Sequence, residues 1–345
     1  MTLCHSRQSE TPRNPHESPG NAQHGTRRKD RHCDRGISNS AGSLRYQRFA
    51  TQRDTIRHTD LQGASPHPWL ASQFRVACRG VVDIDGRKVS RRLEGFDEPQ
   101  GIAYSPQTDT LYVASGGDGV LSSFRGAQLE SAGKLDLGDD ADNVRIDREQ
   151  QRVYVGVGGG NLTVVDGASF KKIAEIELKG HPESFQLESE GSRTYVNVPD
   201  AREVAVIDRK AGKQVGSWPT SALRSNYPMA LDSPHGRVFV AFRQPATLVS
   251  YDAASGAVQE RIEICGDADD IFVDARRGRI YVVCGQGVID VLREGDRTSR
   301  IARVATSSGA RTALFSPELD RLFVAARATG GEGAAVWVFR PVDNL

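Results

Sequence analysis

A unit of about 42 residues repeats six times along this chain. Each copy contains an aromatic residue followed by valine, within the stretches LYVAS, VYVGV, TYVNV, VFVAF, IYVVC and LFVAA. The spacings between successive aromatics are 42, 41, 44, 42 and 42 residues, for Tyr112, Tyr154, Tyr195, Phe239, Tyr281 and Phe323. A fixed period of this length is the signature of a repeat architecture, in which each unit packs against its neighbours.

Each unit contains four predicted short strands. In residues 140–180, the turns REQQ, GGGN and GASF separate the β-rich stretches NVRID, RVYVGV, LTVVD and KKIAEIEL. No apolar pattern with the helical period of 3.6 residues accompanies them. Four strands in about 42 residues match the size of one propeller blade, so the sequence predicts an all-β propeller.

The number of units predicts the number of blades. Six units begin at Glu98, Asp140, His181, Asn226, Ala268 and Ala310. Before them, FRVAC, GVVDID and KVSRRLEG match the second, third and fourth strands of a further unit. We therefore predict a seven-bladed β-propeller of four-stranded blades over residues 73–345, with an incomplete first blade. The last unit ends at its third strand, AVWVFRP, and no stretch near the N-terminus matches a closing strand.

Residues 1–72 have a different composition and are predicted to be disordered. They are rich in Arg, Ser, His, Gln, Asn and Pro, and their few apolar residues are scattered singly, so no face could be buried. This segment carries 11 Lys and Arg against 6 Asp and Glu, whereas the remainder carries 34 against 38. A basic arm that binds a partner is one interpretation, and a segment without a role is another. The mildly acidic propeller argues against a nucleic-acid surface on the propeller itself.

Several classes of protein are disfavoured by composition. No run of about 18 apolar residues exists, so no membrane-spanning helix is predicted. The first 30 residues lack a signal-peptide pattern, and the sequence does not predict the cellular compartment. We expect the protein to be a monomer. Six of the eight histidines lie in residues 1–72, which leaves too few in the propeller for a site with three histidine ligands. The five cysteines show no paired spacing and are predicted to be mostly free thiols, with a disulfide or a nucleophilic cysteine as alternatives.

The repeat motif resembles that of a known family. Tyr-Val after the first hairpin and Val-x-Val-x-Asp after the second, as in LTVVD and EVAVID, are similar to the YVTN-repeat (YncE-like) β-propeller family over roughly residues 74–341. The resemblance implies the fold and says little about activity. Members are mostly bacterial and often exported to the periplasm, some relatives are linked to DNA binding, and related propellers include lactonases and quinoprotein dehydrogenases. This sequence departs from the family at its start, where a polar Arg-rich stretch replaces a leader, a closing strand and a complete first blade.

The linkers that precede each first strand carry the candidate site, because in a propeller they surround the mouth of the central channel. We align them by counting back from each repeat aromatic, with a turn two residues shorter in the fourth unit. The first column contains Gln100, Asp142, Glu183, Met229, Asp269 and Arg311. The second contains Gly101, Asn143, Ser184, Ala230, Asp270 and Thr312. With Tyr227, the predicted ligand-binding residues are Gln100, Asp142, Asn143, Glu183, Ser184, Tyr227, Met229, Asp269, Asp270 and Arg311.

Three interpretations of this acidic mouth follow. Two carboxylates about 4 Å apart repel by roughly 4 kcal/mol at an effective dielectric near 20, so they must stay hydrated, bind a cation or pair with a basic group such as Arg311. Ca²⁺ or Mg²⁺ would suit oxygen ligands, with Asp142, Glu183, Asp269 and Asp270 as candidates. A small organic ligand or a peptide could use the same residues. Asp and Asn before a strand also form turns by themselves, without any ligand.

Three functions are consistent with these features. The first is a non-catalytic propeller that binds a small ligand or a protein at the channel mouth, which is favoured because scaffold motifs are abundant and no catalytic motif is present. The second is a metal-dependent hydrolase of lactonase type, based on the acidic ring. The third is nucleic-acid binding through the basic N-terminal segment, which predicts strongly salt-dependent binding. His181 could act as an acid or base beside Glu183, and His235 is placed in a turn on the opposite face.

Overall fold

The computed structural model describes residues 71–73, 78–328 and 333–343. This part of the chain consists of strands joined by turns, with no helix. Disorder was predicted for residues 1–72, and residues 1–70 lie outside the described part. Residues 71 and 72 belong to a described strand. None of the described residues belongs to a helix long and apolar enough to cross a membrane.

The strands form seven antiparallel sheets. The first sheet contains β1 (Ala71–Gln73), β2 (Cys78–Asp83) and β3 (Lys88–Glu94). The second contains β4 (Pro99–Ser105), β5 (Thr110–Ser115), β6 (Val120–Arg125) and β7 (Glu130–Asp136). The third contains β8 (Ala141–Asp147), β9 (Arg152–Val157), β10 (Asn161–Asp166) and β11 (Lys171–Glu177). The fourth contains β12 (Phe185–Leu187), β13 (Arg193–Val198), β14 (Glu203–Asp208) and β15 (Lys213–Pro219).

The remaining three sheets follow the same plan. The fifth contains β16 (Arg224–Asp232), β17 (Arg237–Gln244), β18 (Ala246–Asp252) and β19 (Val258–Glu263). The sixth contains β20 (Ala268–Asp274), β21 (Arg279–Cys284), β22 (Val288–Arg293) and β23 (Ser299–Ala305). The seventh contains β24 (Ala313–Ser316), β25 (Arg321–Ala326) and β26 (Ala335–Phe339). In every sheet each strand pairs with its neighbours in sequence.

Burial distinguishes the strands within a blade. The second and third strands are almost wholly buried, as in β9 and β10, whereas fourth strands such as β11 are largely exposed. The first strands β4, β8, β12, β16, β20 and β24 contact one another in succession and surround the centre of the ring. This order confirms the prediction of an all-β propeller with four-stranded blades.

Hydrophobic clusters fill the gaps between neighbouring sheets around the whole ring. The six repeat aromatics lie in these clusters and are at most 2% exposed. Their regular spacing therefore reflects one large buried ring in each blade, and full burial of such a side chain contributes on the order of 2 kcal/mol.

The first sheet lies between the last blade and the second sheet. Val82 of β2 packs with Phe323 and Val336 of the last blade, and Leu93 of β3 packs with Ile102 of β4. The structure thus shows six blades on the six repeats, rather than the seven predicted, and the three-stranded first sheet lies beside them.

Two details of the ends differ from expectation. The strand that pairs with β2 is β1 at Ala71–Gln73, earlier than the predicted stretch FRVAC, of which residues 74–77 lie outside the described part. The last blade has three strands, and none of the described strands pairs with the outer edge of β26. A closing fourth strand therefore stays a prediction.

The structure contains a disulfide between Cys265 and Cys284, whose Cα atoms are 5.9 Å apart. The prediction of free thiols is wrong for this pair. The cysteines are brought together because Ala268, at the start of β20, pairs directly with Cys284 at the end of β21. Their separation of 19 residues follows the hairpin geometry rather than a recognisable cysteine motif.

Candidate functional site

The first strands of several blades contain a β-bulge at the predicted site positions. The pairing of β8 with β9 skips Asp142 and Asn143, and the pairing of β4 with β5 skips Gln100 and Gly101. The pairing of β20 with β21 skips Asp269. A bulge redirects side chains and is common beside functional sites. In these three blades the aligned linker positions are therefore equivalent in backbone geometry as well as in sequence.

Glycine is required at one of these bulges by a close approach of two blades. A Cβ atom on Gly101 would lie 1.9 Å from the backbone carbonyl oxygen of Asp142. The backbone of β4 thus packs directly against that of β8, and Gly101 helps to fix the position of Asp142 at the mouth.

The fourth unit has a different register from the one predicted. Four residues separate Asp232 from Arg237, and four residues also separate Asp147 from Arg152. The turn of the fourth unit is therefore not shorter than the turn of the second unit, contrary to the prediction. The bulge in β16 consequently falls between Asn226 and Met229, at residues 227–228. Tyr227 therefore lies at the bulge of this blade, whereas Met229 and Ala230 lie beyond it and do not align with the site columns. Met229 is 2% exposed and packs in the hydrophobic core.

Two arginines neutralise the acidic cluster of the GDADD sequence. Nη1 of Arg311 lies 2.8 Å from a carboxylate oxygen of Asp267, and its Nε lies 3.3 Å from Asp269. Nε of Arg243 lies 3.2 Å from Asp267, and an Nη atom of Arg243 binds Asp269. The guanidinium carbon of Arg243 is 4.4 Å from the centre of the Tyr227 ring. Pairing of Arg311 with these carboxylates agrees with one of the interpretations drawn from the sequence.

Burial raises the pKa values of both Asp269 and Asp270, and neighbouring groups modify this effect. Burial raises the pKa of Asp269 to about 6, although the charges of Arg243 and Arg311 lower it. Asp270 accepts a hydrogen bond of 2.7 Å from the backbone N–H of Ala313. Burial, followed by the charge of Asp269, raises the pKa of Asp270 well above its usual range despite that hydrogen bond.

Asp142 and Asn143 are buried without the hydrogen bonds that such groups require. They are 1% and 0% exposed, and their four side-chain polar atoms have no hydrogen bond of ordinary geometry within the described residues. Burial raises the pKa of Asp142 well above its usual range, and the charges of Glu183, Asp140 and Asp269 raise it further, while the adjacent Asn143 amide lowers it in part. An unsatisfied buried polar group costs about 1–3 kcal/mol, and a carboxylate costs more.

Arg145 provides positive charge inside the ring. Burial lowers its pKa to about 10, although the carboxylates of Asp270 and Asp142 raise it. These two carboxylates belong to β20 and β8, which lie in blades that are not neighbours, so Arg145 faces the central channel between them. Its guanidinium carbon is 5.6 Å from the centre of the Phe185 ring.

The other predicted residues lie at the same mouth. Gln100 donates a hydrogen bond of 3.1 Å from Nε2 to Asp140, and the other carboxylate oxygen of Asp140 is 4.0 Å from Nδ1 of His181. Glu183 is 7% exposed and is close enough to raise the pKa of Asp142. The backbone N–H of Ser184 donates to the carbonyl of Tyr227 over 3.3 Å.

The predicted metal ligands do not converge on one point. Within the described residues, the His, Cys, Asp and Glu groups that bring three ligand atoms within 4.8 Å of one another are those of Asp232, His235 and Glu294, on the opposite face. At the mouth, guanidinium groups face Asp269 where a cation would otherwise lie. The Ca²⁺ or Mg²⁺ hypothesis for Asp142, Glu183, Asp269 and Asp270 stays a prediction.

Sequence reasoning missed three contributors to this site. Arg243 lies near the end of β17, a second strand, and so falls outside the linkers that precede the first strands. Arg145 interrupts an apolar first strand, and a charge at that position was a signal that could have been used. Asp267 lies two residues before Asp269, outside both aligned columns.

Comparison with known proteins supports the fold alone. No protein-family model matches the sequence, and no curated protein matches it. Among solved structures, a chain of the Kuenenia stuttgartiensis hydrazine synthase is similar with a TM-score of 0.68 and 15% identity, over 78% of this chain and 90% of that one. A chain in the crystal structure of a mitotic checkpoint complex is similar with a TM-score of 0.69 and 13% identity, over 92% and 99%. Both neighbours are β-propellers, which fits the architecture described above.

Proposed function

We propose that this protein is a non-catalytic propeller that binds a ligand at the mouth of its central channel. The observation that supports this function is the pair Asp142 and Asn143, which are buried with unsatisfied side-chain polar atoms. Folded proteins satisfy nearly all buried polar groups, so such a pair is retained only where something outside the fold completes its hydrogen bonds.

The charge of the site indicates the class of ligand. Asp142 is surrounded by the carboxylates of Glu183, Asp140 and Asp269, which all raise its pKa. A positively charged or hydrogen-bond-donating group would relieve this repulsion and supply the missing donors. We propose a small ligand with an ammonium group, or a protein partner that presents a lysine or arginine side chain.

Arginines at the mouth could give the ligand a second contact. Arg243 is held against Tyr227 and against two carboxylates, so its position is fixed before any ligand arrives. A rigid arrangement of this kind lowers the entropic cost of binding. A ligand that also carries a carboxylate or hydroxyl group at its other end could contact Arg145 in the channel.

Family membership and blade number are part of this proposal. The YVTN-type motif and its period of about 42 residues support membership of the YVTN-repeat (YncE-like) family. The position of β1–β3 between the last blade and the second sheet supports a seven-bladed ring with an incomplete first blade. Hydrolysis and nucleic-acid binding remain alternatives that no contact of the described residues favours.

The experiment is a thermal-shift screen with the full chain. The probes are small primary ammonium compounds, polyols, amino acids, and Ca²⁺, Mg²⁺, Mn²⁺ and Zn²⁺. Ammonium compounds should raise the Tm of the wild type. In Asp142→Asn the Kd of these compounds should be at least tenfold higher, and the rise in Tm should be correspondingly smaller. The matched control is Glu177→Gln, because Glu177 is an exposed carboxylate on the outer strand β11.

Each outcome separates the functions. Binding of ammonium compounds that depends on Asp142 supports the proposal. A Tm shift with Ca²⁺ or Mg²⁺ that Asp142→Asn abolishes would instead support the metal-dependent alternative. If no probe binds, or if Asp142→Asn binds as tightly as the wild type, the proposed site is wrong.

A further inference from the structure

A second set of unsatisfied groups lies on the face opposite the channel mouth. Asp232 ends β16, His235 lies in the turn that follows, and Glu294 comes directly after β22 in the next blade. One ligand atom from each lies within 4.8 Å of those from the other two. Nδ1 of His235 is 2.7 Å from Oδ2 of Asp232.

Two of the oxygens in this set have no partner. Asp232 is 2% exposed, and its Oδ1 has no hydrogen-bond partner within the described residues. Oε1 of Glu294 is enclosed and also has none. Burial raises the pKa of Glu294, the charge of Asp232 raises it further, and His235 and Arg237 lower it. Two carboxylates held close together with free oxygens need a cation or a proton between them.

The donor set favours a divalent first-row metal ion such as Zn²⁺ or Mn²⁺. An imidazole nitrogen with two carboxylate oxygens suits Zn²⁺, Mn²⁺ or a similar ion, whereas Ca²⁺ and Mg²⁺ prefer oxygen ligands alone. Three protein ligands leave a coordination position for water. The side chain of His235 is 61% exposed, so an ion can enter from solvent without opening the fold.

We propose that Asp232, His235 and Glu294 form a binding site for a divalent first-row metal ion, with Zn²⁺ as the best fit. The ion would connect the fifth and sixth sheets, since two ligands come from one blade and the third from the next. Binding requires a shift of His235 that replaces its contact with Asp232 by coordination of the ion. This site is independent of the channel mouth, and either could exist without the other.

The test is Zn²⁺ titration of the metal-free full chain by calorimetry and by thermal shift. Residues 1–72 contain six histidines that can bind Zn²⁺ themselves, so stoichiometry is compared between variants. We expect His235→Ala and Glu294→Gln each to lose one equivalent and the associated rise in Tm. His181→Ala, which removes the other histidine beyond residue 72, should retain that equivalent of Zn²⁺ and the rise in Tm.

Several results of the Zn²⁺ titration would contradict the proposed site. If the wild type and both variants bind the same number of Zn²⁺ ions, or if Zn²⁺ leaves the Tm of the wild type unchanged, the site does not exist. His235 is exposed, so its variant should fold; Glu294→Gln keeps the shape of the side chain and provides the second check. A response to Ca²⁺ or Mg²⁺ equal to that with Zn²⁺ would overturn the assignment of the ion.

Discussion

The guanidinium group of Arg243 stacks on the ring of Tyr227, with 4.4 Å between the guanidinium carbon and the ring centre. The same group pairs with Asp267 and Asp269. One arginine therefore links a bulge in one blade to the acidic linker of the next. This arrangement explains how the GDADD sequence is tolerated at a buried position.

Loss of this arginine should destabilise the fold. In Arg243→Met the carboxylate of Asp269, which is 3% exposed, would lose one of its two ion pairs and keep the one with Arg311. Breaking one side of a buried ion pair costs about 3 kcal/mol, so the free energy of unfolding in urea at pH 7 should fall by about 2–4 kcal/mol.

The matched control is Arg148→Met, which removes an exposed arginine from a turn of the third sheet. It should change the free energy of unfolding by less than about 0.5 kcal/mol. Equal effects of the two substitutions would show that Arg243 does not stabilise the acidic cluster.

The buried carboxyl of Asp269 should make stability depend on pH. Its pKa is raised from 3.8 to about 6, so the folded state binds the proton more tightly than the unfolded state does. The resulting stabilisation is complete below the unfolded pKa and is lost as the pH rises to about 6 and beyond. We expect the difference in Tm between the wild type and Asp269→Asn to shift against the wild type from pH 4 to pH 7. A difference that is constant with pH would contradict this.

Close packing at Gly101 gives a prediction about backbone. A Cβ atom in Gly101→Ala would clash with the carbonyl oxygen of Asp142, and β4 or β8 would have to move. We expect a loss of about 2 kcal/mol or more in chemical denaturation. Gly159→Ala is the control, because its Cβ would meet nothing closer than 3.8 Å. Similar stability of the two variants would show that the blades do not pack as described.

The disulfide can be mapped directly. Alkylation of the unfolded, unreduced protein should leave Cys265 and Cys284 unmodified, and a protease digest should contain their peptides joined. After reduction the Tm should fall, since a crosslink of this separation stabilises a protein by about 3 kcal/mol. Alkylation of both cysteines without prior reduction would show that the bond is absent.

The fold was predictable because its signal is local and repeated. Each repeat aromatic, such as Tyr154, is buried by the same hairpin geometry in every blade, and a fixed period records that geometry in the sequence. The site was only partly predictable. Asp142 and Asp269 were found because their bulges occur at equivalent positions, whereas Arg243 contacts Asp269 from another blade. The proposed metal ligand Glu294 is likewise far from Asp232 in sequence. The register of the fourth unit follows from a turn of ordinary length between Asp232 and Arg237, whereas a shorter turn was predicted.

The central claim is that a ligand completes the hydrogen bonding of the buried Asp142 carboxylate, whose oxygens have no hydrogen bond of ordinary geometry within the described residues. Burial raises the pKa of Asp142, so this group makes the free protein less stable at neutral pH than at acidic pH. The most direct measurement is the free energy of unfolding of Asp142→Asn and of the wild type, at pH 7 and at pH 4. We predict that the variant is more stable by about 1–3 kcal/mol at pH 7 and that this advantage shrinks at pH 4. A variant that is less stable than the wild type at pH 7 would contradict the claim, because it would show that the fold itself satisfies the Asp142 carboxylate.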